Sequence, residues 1–166
     1  VDSGKLLVKA LKENNNKVTA VISASAIGWY GADTEISKQQ GFKEDVPADN
    51  EFLGETCRLW EQAIEGVEEQ GKRLVKLRTG IVLSNKGGAF KEFVKPLNAG
   101  VAAILGNGKQ TVSWIHLDDL CAMYIYAMEN EMMHGSYNAV APQPVSNKEL
   151  TITIAEHKQK FYIPLK

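Results

Sequence analysis

The chain has 166 residues, 44% of them hydrophobic and 23% charged, enough for one domain with a sizeable core. Its 19 basic and 20 acidic residues give a formal net charge of -1, with no basic cluster longer than Lys72-Arg73, so there is no electrostatic case for nucleic acid or an anionic membrane as partner. Cys57 and Cys121 stand far apart, with no CxxC and no histidine at ligand spacing, which argues against a disulfide framework and against a metal site. No apolar run approaches the roughly 18 residues of a membrane span, and no signal peptide is visible. The expected setting is cytoplasmic.

In chain order, Gly4 to Asn14 reads as a helix stopped by Asn14-Asn-Asn16. Lys17 to Ser25 reads as a buried strand, and Gly28 to Asn50 as a polar, turn-rich loop or lid. Phe52 to Gln70 is the clearest helix: Phe52, Thr56, Trp60, Ile64 and Val67 recur at helical spacing and Gly71 supplies the stop. Arg73 to Leu83 reads as a second strand, Phe90 to Ala99 as a short helix, Leu105 to Gln110 as a loop and Thr111 to His116 as a short strand. Asp118 to Glu129 is an expected helix, with Asp118 or Asp119 as its N-cap and His116 orienting its start. Ser136 to Val140 reads as a strand, and Ser146-Asn-Lys-Glu149 has capping-box spacing for a last helix. Strand-helix alternation without internal repeats implies a mostly parallel α/β sheet. The chain opens at Val1 inside a helical pattern and ends as abruptly at Phe161-Tyr-Ile-Pro-Leu-Lys166, so it reads as an internal fragment or the ordered part of a larger protein.

The run Val18 to Ile22 ends in small hydroxyl residues and then a Gly/aromatic turn, the pattern of a buried parallel strand whose carboxyl end opens into a ligand crevice. Ser25 falls at that end, with Ala26 as the neighbouring alternative; a hydroxyl bonded to local backbone is the competing reading. Ser23 reads as structural. Trp29 and Tyr30 either line the pocket or pack the loop. Cys57 reads as a small buried hydrophobe rather than a nucleophile, and Trp60 as core or interface. Arg78 either lies at the crevice or pairs an acid at the sheet edge. Lys109 and Gln110 sit on a Gly-flanked loop, within reach of a substrate phosphate or carboxylate or simply solvated.

Six blocks carry a resemblance: Ser23-Ala-Ser-Ala-Ile-Gly-Trp-Tyr-Gly31, Phe52-Leu-Gly-Glu-Thr-Cys-Arg-Leu-Trp-Glu61, Leu77-Arg-Thr-Gly-Ile-Val-Leu83, Gly106-Asn-Gly-Lys-Gln110, Ser113-Trp-Ile-His-Leu-Asp-Asp119 and Tyr137-Asn-Ala-Val-Ala-Pro-Gln-Pro-Val145. In this order and spacing the chain resembles an atypical branch of the extended short-chain dehydrogenase/reductases, the YfcH-like, nucleoside-diphosphate-sugar epimerase-like family. The resemblance implies a Rossmann-like α/β fold, with a mostly parallel sheet and flanking helices plus a small substrate-lobe portion. Residues 1–84 would form the carboxyl-terminal part of the dinucleotide-binding domain. Residues 85–166 would supply substrate-lobe segments interleaved with the last Rossmann strand and helix. The amino-terminal half, with the Gly-rich turn that seats the pyrophosphate, would lie outside this chain.

The resemblance also assigns residues. Ser25 takes the catalytic Ser/Thr position. Ser23, Ala24, Ser25, Cys57, Arg78, Gly80, Ile81 and Val82 fall along the cofactor, and Trp29, Tyr30, Lys109, Gln110 and Trp114 toward the substrate. Typical members use a Tyr-x-x-x-Lys pair to move a proton while hydride moves to or from NAD; here Leu53 and Cys57 occupy those positions. Ser113 stands where many sugar-nucleotide epimerases place an arginine, and serine supplies no bidentate cation. The expected function is an NAD(P)-dependent epimerase/dehydratase-like protein or oxidoreductase of unknown substrate. The alternative is a non-catalytic dinucleotide-binding regulatory protein, of the kind labelled cell-division inhibitor. NAD or NADP is the expected cofactor, NADP slightly favoured by the resemblance, and a small molecule the expected substrate. Relatives pair the Leu6-Leu7-Leu11 helix and the Trp60-Ile64 helix with their copies, but the outer face of the second helix here carries Glu55, Arg58, Gln62, Glu65 and Glu69. A monomer is therefore expected, with a homodimer as the alternative.

Overall fold

The computed structural model describes residues 1–158 and the backbone of Ile163–Leu165; most of the chain end from Phe161 lies outside the described residues. The chain divides into two compact units, residues 1–79 with 121–139, and residues 80–120 with 140–166.

In the first unit, helix α1 (Asp2–Glu13) ends where Asn16 donates its side-chain amide to the Leu11 and Asn14 carbonyls. Strand β1 (Ala20–Ala26) begins three residues after the expected start at Lys17, because the Asn16 Oδ1 accepts the Val18 N–H. Strand β2 (Arg73–Thr79) pairs in parallel with β1 on one side and with β7 (Gly135–Ala139) on the other. Side chains in register on parallel strands share a face. One face carries Val21 beside Leu74, then Ser23, Lys76 and Ser136 in a row, then Ser25, Arg78 and Asn138. It starts apolar and turns polar toward the carboxyl ends.

Helix α3 (Phe52–Glu65) covers that face, with Ile64, Val67 and Leu74 forming a buried cluster that Val8, Leu11 and Val21 complete. The helix buries Gly54, Cys57, Glu61, Ala63 and Ile64. At Gly54 a Cβ would run into the Asp49 backbone, so only glycine lets the preceding loop cross this close. The expected stripe of Phe52, Thr56 and Trp60 is corrected: Phe52 is 80% exposed and Trp60 38%. The inward face is rotated from the one that apolarity marks, because it contains a carboxylate, Glu61. The helix also stops at Glu65, with a separate turn at Glu68–Gln70. The Gly28–Asn50 loop contains a turn at Ile27–Tyr30 and a short helix, α2 (Glu35–Gln40), begun by a Thr34/Ser37 capping box that uses serine where Glu or Gln is usual.

In the second unit, the continuous strand expected over Arg73–Leu83 breaks at Gly80, and β3 (Ile81–Leu83) pairs instead with β6 (Trp114–His116). A Cβ on Gly80 would sit 2.6 Å from the Ser113 carbonyl oxygen and 2.9 Å from Val140, which explains why the crossing falls at a glycine. Likewise Thr111–His116 is two strands: β5 (Thr111–Val112) pairs antiparallel with β8 (Val145–Ser146). Strand β4 (Val101–Ala103), unforeseen in sequence, pairs with β9 (Ile163–Leu165). Helices α4 (Ala89–Asn98) and α6 (Asn147–His157) join β4 and β5 in a core of Leu97, Ala102, Val112, Leu150, Ile154 and Ala155. The capping box at Ser146 and Glu149 forms as its spacing implies. Helix α5 (Leu117–Glu129), which from Cys121 on is counted with the first unit, takes Asp118 and Asp119 into its first turn rather than as N-cap. His116 Nδ1 accepts the Asp118 N–H at 3.2 Å, the orienting role expected of it.

Candidate functional site

The polar row at the carboxyl end of β1, β2 and β7 becomes one connected network. Ser25 donates to Glu61 Oε1 at 2.7 Å. Arg78 grips the same carboxylate with two donors, Nε to Oε1 at 2.8 Å and Nη2 to Oε2 at 3.2 Å. Lys76 Nζ stands 3.6 Å from Oε2, and Ser136 donates to it at 3.3 Å. The remaining Arg78 nitrogen, Nη1, donates to the Tyr30 hydroxyl and to the Glu44 carbonyl, both at 3.0 Å. Tyr30 in turn donates to Asn138 Oδ1 at 2.7 Å. Asn138 then fastens the loop, its backbone N–H donating to the Glu44 carboxylate and its side-chain amide to the Phe42 carbonyl.

Aromatic rings seal the network. The Arg78 guanidinium lies 3.7 Å from the centre of the Trp29 ring, a cation–π contact that strengthens as water is excluded. Tyr30 stacks on Phe42 with centroids 4.9 Å apart and planes 8° from parallel. Trp29 donates its indole N–H to the Val46 carbonyl.

Glu61 and Arg78 are each only 3% exposed. Burial pushes the Glu61 carboxyl up, but hydrogen bonds from Arg78 and Ser25 and the charges of Arg78 and Lys76 outweigh it, holding the carboxyl below the usual range. Burial pushes the Tyr30 hydroxyl up and does the same to the Cys57 thiol. Among the described residues no buried side-chain nitrogen or oxygen lacks a partner. Each buried polar group of the network therefore has a partner within the protein.

The structure brings Ser25, Trp29, Tyr30 and Arg78 into this network, and places Cys57 beside it. Ser25 is 2% exposed, with its hydroxyl turned to Glu61. Cys57 is buried on α3, and a Cβ on Gly28 would lie 3.4 Å from Leu53 Cβ and 3.5 Å from Cys57 Sγ. Ser23 bonds the Ala24 carbonyl, and Ala24 is exposed. The other expected residues lie in the second unit. Ile81 donates its N–H to the Ser113 carbonyl, at the start of the pairing that continues through Val82. Trp114 donates its indole N–H to the Gln143 carbonyl. Lys109 is exposed on a loop whose Gln110 bonds the Leu105 carbonyl, and the loop is pinned to the start of α6 by Asn147.

Sequence reasoning missed Glu61, Asn138, Glu44, Lys76 and Ser136. A signal existed for the first: Leu74, Lys76 and Arg78 alternate on one face of the strand, and a buried and a half-buried cation there demand a carboxylate on the element that covers them.

The described residues hold no helix long and apolar enough to cross a membrane, and no cluster of metal-ligating side chains. The family model described as the NAD dependent epimerase/dehydratase family matches residues 2–139. The epimerase family protein YfhF of Bacillus subtilis is 34% identical over 161 residues, covering 96% of this chain and 52% of its own length. An epimerase family protein of Mycobacterium bovis, Mb2239, is 36% identical over 134 residues, 81% of this chain and 43% of its own. Human epimerase family protein SDR39U1, solved with NADPH, superposes with a TM-score of 0.86 at 28% identity, over 99% of this chain and 55% of that one. A nucleoside-diphosphate sugar epimerase from Corynebacterium glutamicum superposes with a TM-score of 0.78 at 35% identity, over 97% of this chain and 35% of that one. The chain thus spans about half the length of the curated relatives it matches. The parallel sheet, the blocks along it and these likenesses agree, and the chain belongs to the NAD dependent epimerase/dehydratase family.

Proposed function

We propose that this chain forms the carboxyl-terminal part of an NAD(P)-dependent epimerase/dehydratase-like protein or oxidoreductase, acting on a small molecule in the cytoplasm and working as a monomer. The observation that carries the reading is the parallel β1–β2–β7 sheet with its loops gathered at the carboxyl ends, where α/β sheets take their ligands. NADP is the favoured cofactor, supported by the NADPH in human SDR39U1.

The residues present fit one end of such a dinucleotide. Ser23-Ala-Ser-Ala26 carries no side chain larger than a hydroxymethyl, so a planar ring can approach this backbone closely. This chain has no Gly-rich string to seat a pyrophosphate. When bound, the nicotinamide supplies or accepts hydride. In the first unit Ser23, Ala24 and Ser25 are the proposed cofactor-binding residues, and in the second Gly80, Ile81 and Val82; the Glu61–Arg78 network keeps the strand ends and the Trp29-Tyr30 turn of the first unit rigid. Ser25 is the one hydroxyl proposed to reach substrate, and to do so it must exchange its bond to Glu61. That requirement favours the second reading, a dinucleotide-binding regulatory protein without catalysis: the side chains of Ser25, Tyr30 and Arg78 are all paired internally.

Calorimetric titration of NADPH separates these claims. The full-length protein is expected to bind, and the 166-residue chain, shown folded by circular dichroism, to bind weakly or not at all. Micromolar binding by the chain alone would sink the assignment of the pyrophosphate site to residues outside it. NADPH oxidation by the full-length protein, assayed across sugar nucleotides and small carbonyls, decides between enzyme and regulator.

A further inference from the structure

The second unit holds two adjoining cavities of opposite character that share Phe90 and Lys158. The first has a volume of about 300 Å³ and walls of Leu83, Phe90, Trp114, Val145, Leu150 and Ile154. Its polar side chains, Thr153, His157 and Lys158, all come from the last turns of α6 and the residue after it, and all three are exposed. The second, about 250 Å³, is lined by Asn85, Lys91, Lys95 and Asn98 beside Val94, Phe90 and Lys158. Lys158 Nζ lies 5.8 Å from the Phe90 ring centre, at the join. Lys95 pairs Glu92 at 2.6 Å, and among the described residues no acid forms an ion pair with Lys91 or Lys158.

We propose that the second unit binds an amphipathic anion, its apolar body in the first cavity and its anionic head among Lys91, Lys95 and Lys158. A cavity of this size is at the lower end of small-ligand sites, which run from roughly 300 Å³ upward. Most of its lining is apolar and the Trp114 indole N–H is already given to Gln143, so Thr153, His157 and Lys158 are its polar side chains. Such a surface favours an aromatic or short aliphatic body over a ribose, whose several hydroxyls would find few partners there. Ammonium groups on flexible stems suit a phosphate or carboxylate as point charges. Ser113, directly before Trp114, adds no cation for a nucleotide diphosphate. The inference deepens the proposed function, and calling the anion a substrate rests on that reading.

The test is calorimetry on the full-length protein without NADPH, using 1-naphthyl phosphate, 1-naphthol, inorganic phosphate and UDP as probes. The naphthyl phosphate is expected to bind at least tenfold more tightly than either of its halves, and more tightly than UDP. Thr153→Trp, at an exposed position beside the apolar mouth, is expected to weaken it at least tenfold. Lys158→Glu, also exposed, should do the same while leaving 1-naphthol unchanged. Equal affinity for naphthol and naphthyl phosphate, tighter binding of UDP, no binding, or indifference to both variants would each overturn the proposal. NADPH is titrated separately: naphthyl phosphate binding that survives without NADPH binding keeps this site and sinks the proposed function, and the converse sinks this site alone.

Discussion

The carboxyl end of the β1–β2–β7 sheet and the cavity beside α6 treat charge in opposite ways. In the first, a buried carboxylate is matched by an arginine, a lysine and two hydroxyls, and the arginine is itself matched by a tyrosine, a carbonyl and an indole face. In the second, Lys158 stands exposed in the lining of an apolar hollow, with Lys91 and Lys95 exposed in the adjoining one. A closed network spends its polar groups on holding segments together. An open one leaves them for a ligand. The location of polar residues at a strand's carboxyl end is therefore not enough to make them catalytic; their remaining valences decide.

The sharpest way to break this comparison is to remove the carboxylate. Glu61→Ala leaves Arg78 buried without its anion, and the loss of one partner from a buried pair costs about 3–5 kcal/mol. Urea denaturation followed by circular dichroism should show that loss, against much less for Lys158→Glu. The acid limb gives an independent check. The folded carboxyl titrates below its unfolded value, so its stabilisation is complete above about pH 4.3, the unfolded glutamate value, and is lost as pH falls through the folded one. Wild-type stability should therefore drop more steeply below that point than the stability of Glu61→Gln, which has no such proton to take up. If Glu61→Ala unfolds no more easily than wild type, the network is ornament and its groups are available for chemistry after all.

Much of the fold was legible because it rests on local rules. The apolar run into Ser23-Ala-Ser-Ala26 and the Ser146-Glu149 capping box each declare an element by its own residues. Gly80 was less legible: nothing in Thr79-Gly-Ile81 says that the Ser113 backbone will pass within touching distance. The site suffered most from a single mistaken face. Reading α3 by apolarity put Phe52, Thr56 and Trp60 on its apolar stripe and gave Glu61 no role, whereas the sheet beneath it presents Lys76 and Arg78 and so selects the acid. Tertiary pairing of charge overrode the amphipathic pattern, and only strand register reveals it.

The middle-sized effect concerns Ser25 and Cys57. Ser25→Ala removes one hydrogen bond to a charged group, worth about 1.5–3 kcal/mol, with Glu61 still held by Arg78. If turnover of any substrate found falls only as far as the folded fraction, Ser25 belongs to the network. A further loss beyond about 100-fold, roughly 2.7 kcal/mol of barrier, gives it the catalytic role proposed above. Cys57→Ala should keep most activity, because burial raises its thiol and keeps it out of the reactive thiolate form. A comparable loss from that change with the fold intact would move the chemistry to α3.

The smallest expected effect is on assembly. The outer side of α3 mixes Phe52, Leu59 and Trp60, all exposed, with the Glu55–Arg58 pair and Glu65. Exposed apolar side chains in isolation are ordinary on a protein surface, and an interface core is depleted of charge. Glu55 and Arg58 would have to lose water on docking, at a cost that the few apolar side chains around them would need to exceed. Light scattering of the full-length protein should accordingly give a monomer, and Trp60→Ala should leave its mass unchanged. A stable dimer that Trp60→Ala or Glu65→Arg dissolves would place α3 with the cavity side of the comparison: a face whose unused surface awaits a partner, in that case a second copy of the chain.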